Sequence, residues 1–138
     1  MAYLLDTCTL SDGAKTPPNP ALLVWLRSLP EEYRYVSAVS LAEVVFGILR
    51  LPLGRKRTYL ADWYDMRLRP FYEGRILSFS EGEALHWARL RSFYPNADLV
   101  DSQIAATAIA NNLTLVTRNV KDFAFAGLSL INPWSSEG

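Results

Sequence analysis

A chain of 138 residues, half of them hydrophobic and 20% charged, fits one domain around one core (residues 1–138) and excludes a disordered segment. Fourteen basic side chains balance fourteen acidic ones, so charge alone does not mark a nucleic-acid binder. The single cysteine, Cys8, excludes an internal disulfide, and no apolar run reaches the length of a membrane span, so a reducing cytoplasmic setting is expected. The first residues, Met1-Ala2-Tyr3-Leu4-Leu5-Asp6, have neither the basic start nor the long apolar stretch of a signal peptide.

Along the chain, strands and helices alternate. Residues 3–5 form a short apolar run ending at Asp6, the pattern of a buried strand. Residues 11–20 contain Gly13 and three prolines and predict a loop. Asn19-Pro20 reads as an N-cap and first helical position, followed by Leu22, Trp25, Leu26 and Leu29 at helical spacing. Residues 35–38 are a second strand candidate. Leu41, Val44, Val45, Ile48 and Leu49 then mark one face of a helix. A further helix is predicted over residues 55–69, after Pro52 and Gly54, and a third strand over 75–79. Ser80 opens a helix carrying Leu85, Ala88 and Phe93 and ended by Pro95. An alanine-rich helix covers residues 99–111, with Ile104, Ala105, Ala108 and Ile109 inward. Residues 113–117 and 128–131 supply the fourth and fifth strands. Strands separated by helices require crossovers, which predicts an α/β domain with a mostly parallel central sheet flanked by helices. Such sheets place their sites at the carboxyl ends of the strands.

Four acids fall where that rule points. Asp6 ends strand one. Glu43 lies early in the helix after strand two. Asp101 lies near the start of the alanine-rich helix, and Asp122 follows strand four. Carboxylates are hard oxygen donors suited to Mg²⁺ or Mn²⁺. One Cys and one His give no zinc cluster. Each acid also has a structural explanation. Ser40-Leu41-Ala42-Glu43 has the spacing of a capping box, as does Ser80-Glu81-Gly82-Glu83. Asn119 and Asp122 fit an N-cap and a first-turn acid, and Asp101 fits a dipole partner with Asp98 as a close competitor. Asp6 is hardest to explain so, because Asp is depleted in strands. Two carboxylates about 6 Å apart repel by roughly 3 kcal/mol at an effective dielectric near 20, so four converging acids call for protonation or a cation. If the four hold metal, 14 basic side chains face 10 remaining acidic ones. Arg50, Arg55, Lys56 and Arg57 crowd one stretch, which is either a phosphate-contacting patch or a solvated helix start. His86 sits mid-helix beside Trp87 and is read as structural.

At these residues a family pattern emerges. Leu4-Leu5-Asp6-Thr7 resembles the opening strand motif of PIN domains. Ser40-Leu41-Ala42-Glu43 with Gly47 resembles the second motif. Asp101-Ser102-Gln103-Ile104-Ala105-Ala106-Thr107-Ala108 resembles the third, and residues 115–123 resemble the fourth. The resemblance spans residue 3 to Pro133-Trp134 and is closest to the VapC-type toxin ribonucleases. It implies a metal-dependent endoribonuclease, the toxin of a toxin–antitoxin pair. Asp6, Glu43, Asp101 and Asp122 would hold one or two Mg²⁺ or Mn²⁺ ions, with Thr7, Asp98, Thr117 and Asn119 in support. Arg118 and Arg55, Lys56 and Arg57 would contact RNA phosphates. It further implies a cognate antitoxin covering the active site, a homodimer, and a structured cellular RNA as substrate. One position departs from the pattern: Cys8 stands where the first motif usually has Asn, and a thiol cannot supply the amide's donor and acceptor pair. A PIN-fold binding module or DNA-cleaving protein without toxin role is the alternative, and metal-dependent cleavage of RNA discriminates them. A nucleotide-binding doubly wound domain lacks support, since neither G-x-G-x-x-G nor a P-loop follows strand one.

Overall fold

The computed structural model describes residues 2–134. Five strands form one sheet in the order β3-β2-β1-β4-β5, every pair parallel. They are β1 (Tyr3–Leu5), β2 (Arg34–Ser37), β3 (Ile76–Leu77), β4 (Thr114–Val116) and β5 (Leu130–Ile131). The helices are α1 (Thr7–Asp12), α2 (Pro20–Arg27), α3 (Ala38–Leu49), α4 (Arg55–Trp63), α5 (Arg69–Phe71), α6 (Glu81–Phe93) and α7 (Leu99–Ala110). The chain builds outward from β1 through β2 to β3, then crosses back to β4 on the other side. The topological switch point therefore lies between β1 and β4, whose registers pair Leu4 with Leu115 and Leu5 with Val116.

The two-residue period of the strands sorts the core into two layers. Leu5, Val36 and Val116 face Leu10, Leu41, Val44, Ile48, Leu68 and Tyr72 on one side of the sheet. Leu4 and Leu115 face Leu90, Ile104, Ala105, Ala108, Leu113 and Phe123 on the other. The short side chains of Ala105, Ala106 and Ala108, all fully buried, let α7 lie close on the sheet.

Several expectations shift. Residues 11 and 12, read as loop, end α1, a helix that begins directly after Asp6. Its Thr-Cys-Thr sequence has weak helix propensity, and the Asp6 cap supplies the start. The second strand begins at Arg34 and ends at Ser37, so Ala38 already belongs to α3. The third strand shrinks to two residues and the fifth to two, while the fourth loses one residue at each end. The helix expected over residues 55–69 is α4 followed by a π-helical turn, Tyr64–Leu68, which runs into α5 at Pro70. Leu49, placed on one helix face with Leu41, Val44, Val45 and Ile48, is exposed, as are Leu85 and Phe93 of the helix after Ser80. Leu41, Val44 and Ile48 do face the core.

Candidate active site

Parallel strands with antiparallel return helices bring helix amino termini to the carboxyl edge of the sheet. Asp6 stands there at the end of β1, 3% exposed, with its backbone N–H donating to the Val116 carbonyl of β4 at 3.1 Å. It caps α1. Its Oδ1 accepts from the Thr9 N–H at 2.9 Å and from the Thr9 hydroxyl at 2.6 Å. Oδ1 is thus held twice, which leaves Oδ2 as the oxygen available to a ligand.

Glu43 corrects the capping-box reading. The cap of α3 is Ser37, whose Oγ accepts from the Val39 N–H at 3.0 Å, and the helix starts at Ala38. Glu43 therefore sits in the second turn, beyond reach of any cap. It is half-buried and accepts a 2.5 Å hydrogen bond from the Thr7 hydroxyl. Ser40 is fully buried and its Oγ has no partner among the described residues. The look-alike behaves as expected: Glu83 Oε1 accepts from the Ser80 N–H at 2.9 Å, and Oε2 from the Asn111 amide at 3.0 Å. Those contacts, led by Asn111, hold its carboxyl below the usual range.

At the start of α7, Asp98 is the N-cap. Its Oδ2 accepts from the Asp101 N–H at 2.9 Å. Asp101 follows in the first turn, and its carboxyl is pushed up to about 6. Burial is the main cause, followed by the charges of Asp98, Glu43, Asp122 and Asp6. Asp98 caps the same helix, while Glu43, Asp122 and Asp6 reach Asp101 from three other segments, so the sheet edge does collect them. They form an open arrangement: among the described residues no three acid, His or Cys side chains close into a compact ligand cage.

Asp122 is exposed in a 3₁₀ turn, Val120–Phe123, after β4. Asn119 precedes that turn without capping it. Its amide points instead to Cys8 Sγ at 3.7 Å. Cys8 is exposed, yet partial desolvation and Asp6 raise its thiol above the ordinary value, against the opposing pull of Arg118 and the Asn119 hydrogen bond. Thr117, fully buried, accepts from the Asn119 N–H at 2.9 Å and fixes the turn that carries Asn119.

The basic stretch divides. Arg57 donates to the Leu51 carbonyl at 3.2 Å and so ties α4 to the loop that follows α3. Arg55 is exposed at the start of α4, and Arg50 lies over the Phe46 ring. Lys56 lines a cavity of about 610 Å³ together with Thr7, Glu43, Lys15, Tyr59 and Trp63. Arg118 stands over the Trp134 ring, 4.5 Å from its centroid. His86 bonds the Gly82 carbonyl within its own helix. Sequence reasoning missed Thr9, Lys15 and Trp134. The Asp6-x-x-Thr9 spacing is a local capping signal, but the approach of Trp134 to Thr9 spans 125 positions and leaves no local trace.

A single parallel sheet with acids converging on its β1/β4 switch point defines a class, and the comparisons agree with it. The chain belongs to the PIN domain family, whose model matches residues 3–126. It is 36% identical over 135 residues to Toxin FitB of Neisseria gonorrhoeae, covering 95% of this chain and 97% of that protein. It is 34% identical over 135 residues to VapC ribonuclease Y4jK of Sinorhizobium fredii, covering 95% and 96%. Among solved structures, the FitAcB crystal structure from Neisseria gonorrhoeae superposes with a TM-score of 0.86 at 35% identity, covering 96% of this chain and 98% of that one. VapBC2 from Rickettsia felis, bound to a promoter DNA fragment, superposes with a TM-score of 0.76 at 26% identity, covering 98% and 100%.

Proposed function

We propose that the chain is a Mg²⁺- or Mn²⁺-dependent endoribonuclease and the toxin of a toxin–antitoxin pair. The observation that carries the reading is the placement of Asp6, Glu43, Asp101 and Asp122 at the carboxyl edge of the sheet, near enough that the other acids help raise the Asp101 carboxyl. An all-oxygen donor set of clustered carboxylates fits a hard divalent cation and disfavours a soft one. Asp6 and Asp101 would be its direct ligands, with Glu43 and Asp122 completing the set directly or through water. When bound, the cation activates water and stabilises charge on the phosphate.

The rest of the chemistry belongs to the chain. Thr9 and the α1 cap hold Asp6 through Oδ1, so that Oδ2 is the oxygen left for a ligand. Thr7 fixes one oxygen of Glu43 and leaves Oε2 free. Asp98, engaged by the Asp101 N–H, orients the first turn of α7 and adds negative field without leaving the helix end. Thr117 and Asn119 shape the turn that presents Asp122. Lys56 and Arg118 contact substrate phosphates. The relatives include a toxin and a ribonuclease, and the solved neighbours include toxin–antitoxin complexes. The cognate antitoxin would occupy the 610 Å³ cavity, whose apolar lining from Val44, Ile48, Leu60 and Trp63 runs up to Glu43. A cytoplasmic homodimer completes the proposal; no helix among the described residues is long and apolar enough to cross a membrane. The test is a map of cellular RNA 5′ ends with and without induction of the protein. A discrete new set of ends, absent for Asp6→Asn, supports the reading; an unchanged map overturns it.

A further inference from the structure

Beyond the acids, side chains from three distant parts of the chain meet at Trp134. The indole is 8% exposed. Its Nε1–H donates to the Thr9 hydroxyl oxygen at 3.4 Å, and that hydroxyl in turn donates to Asp6. The Trp134 backbone N–H donates to Asn132 Oδ1 at 3.0 Å. The ring is therefore tied at its edge and at its backbone, one residue away from the Asp6 carboxylate. Two cations stand over it. The Arg118 guanidinium lies 4.5 Å from the ring centroid and the Lys15 ammonium 5.9 Å. Both side chains belong to exposed residues. Lys15 keeps a loose contact with Asp12 at 3.6 Å, whereas Arg118 has no ion-pair partner among the described residues.

We propose that Trp134 is a platform that holds Arg118 and Lys15 as a subsite for a backbone phosphate of single-stranded RNA, beside the acids. The proposal rests on the nuclease reading above and deepens it. A ring face positions a cation without cancelling its charge, unlike a carboxylate, which would neutralise it. The cations are thereby ordered in advance and still able to pair with an anion, which lowers the cost of ordering them on binding. Their location suits the role. Arg118 follows Thr117 at the end of β4, and its charge is felt at Cys8, next to Asp6. Lys15 lines the same cavity as Thr7 and Glu43. An RNA strand leaving the acids along that cavity passes Lys15, and Arg118 stands over the same indole ring that Lys15 overlies.

The test reads binding without turnover. In the Asp6→Asn background, the affinity of a labelled single-stranded RNA oligonucleotide is measured by fluorescence anisotropy across a range of NaCl concentrations. Arg118→Gln and Lys15→Gln should each weaken binding and each lower the slope of log K against log salt by about 0.7, the contribution of one phosphate contact to a single strand. Trp134→Phe keeps a ring and should keep most of the slope. Trp134→Leu, checked for folding by circular dichroism, should lose as much slope as either cation variant. Arg27→Gln, exposed at the end of α2, is the control. Unchanged slopes for Arg118→Gln and Lys15→Gln overturn the subsite, whatever Trp134→Leu does to the fold. The same variants with Asp6 intact are assayed for RNA cleavage. Cleavage with unchanged slopes defeats the subsite alone, whereas absence of cleavage by the parent chain defeats the nuclease reading.

Discussion

Asp101→Asn should stabilise the metal-free protein. Its carboxyl ordinarily titrates at 3.8 and is raised to about 6 in the fold, by burial and by four neighbouring acids. At neutral pH the carboxylate is charged in both states, but the fold makes that charge unfavourable, a penalty of about 3 kcal/mol if the shift counted in full. The side chain is only partly buried, and solvent screening reduces that to about 1.5 kcal/mol. A charged acid in a helix first turn also gains about 0.5 kcal/mol from the dipole, which Asn forfeits. The net expectation is about 1 kcal/mol, or a rise of about 4 °C in melting temperature for a domain of this size. The sign with pH follows from a raised carboxylate. The penalty is full above about 6, fades as the folded state takes up its proton, and is gone below 3.8. The assay is thermal melting in chelator near pH 7.5 and near pH 5, then with Mg²⁺ added. The variant should melt higher at the upper pH, the gap should shrink by about half at the lower, and Mg²⁺ should stabilise the parent but not the variant. A variant that melts no higher than the parent, or a gap that ignores pH, would refute the convergence of charge at this edge.

Glu43→Gln should lose most cleavage while folding normally, because a neutral amide is a poor Mg²⁺ ligand; Glu83→Gln should keep activity, since Gln still serves the Ser80 cap. Equal losses in steady-state assays would make Glu43 structural. Asp98→Ala should cost about 1 kcal/mol in urea denaturation through the lost cap and raise the metal concentration needed, yet retain turnover at saturating Mg²⁺. Asp101→Ala should stay inactive at every metal concentration, and the reverse outcome would exchange the two roles. Cys8 should react with iodoacetamide more slowly than free cysteine at pH 8, because partial desolvation and Asp6 hold it protonated; a rate above free cysteine would contradict its placement beside Asp6.

The acids were legible in the sequence because the fold class was. Apolar runs of strand length separated by helical periodicity define a parallel sheet, and a parallel sheet defines an edge. Asp6 stood out as an acid ending a buried run. What the pattern could not resolve was set by local capping and by distant contacts. The Ser40-x-x-Glu43 spacing mimics a capping box, but Ser37 starts the helix three residues earlier and Glu43 belongs to Thr7. Helix α1 has little propensity and exists because Asp6 and Thr9 satisfy its first turn. Arg57, grouped with its basic neighbours, is taken up by the Leu51 carbonyl. Trp134 reaches Thr9 from the far end of the chain, and no periodicity encodes that meeting.

A ribonuclease built on Asp6 and its companion acids must need both those acids and a divalent cation. The most direct measurement incubates purified protein with RNA and with DNA of the same sequence, in Mg²⁺, in Mn²⁺ and in chelator, beside Asp6→Asn. The parent should cleave RNA only when a divalent cation is present, and Asp6→Asn, which keeps the α1 cap and folds, should not cleave it at all. Cleavage that persists in chelator, or an Asp6→Asn variant as active as the parent, would contradict it.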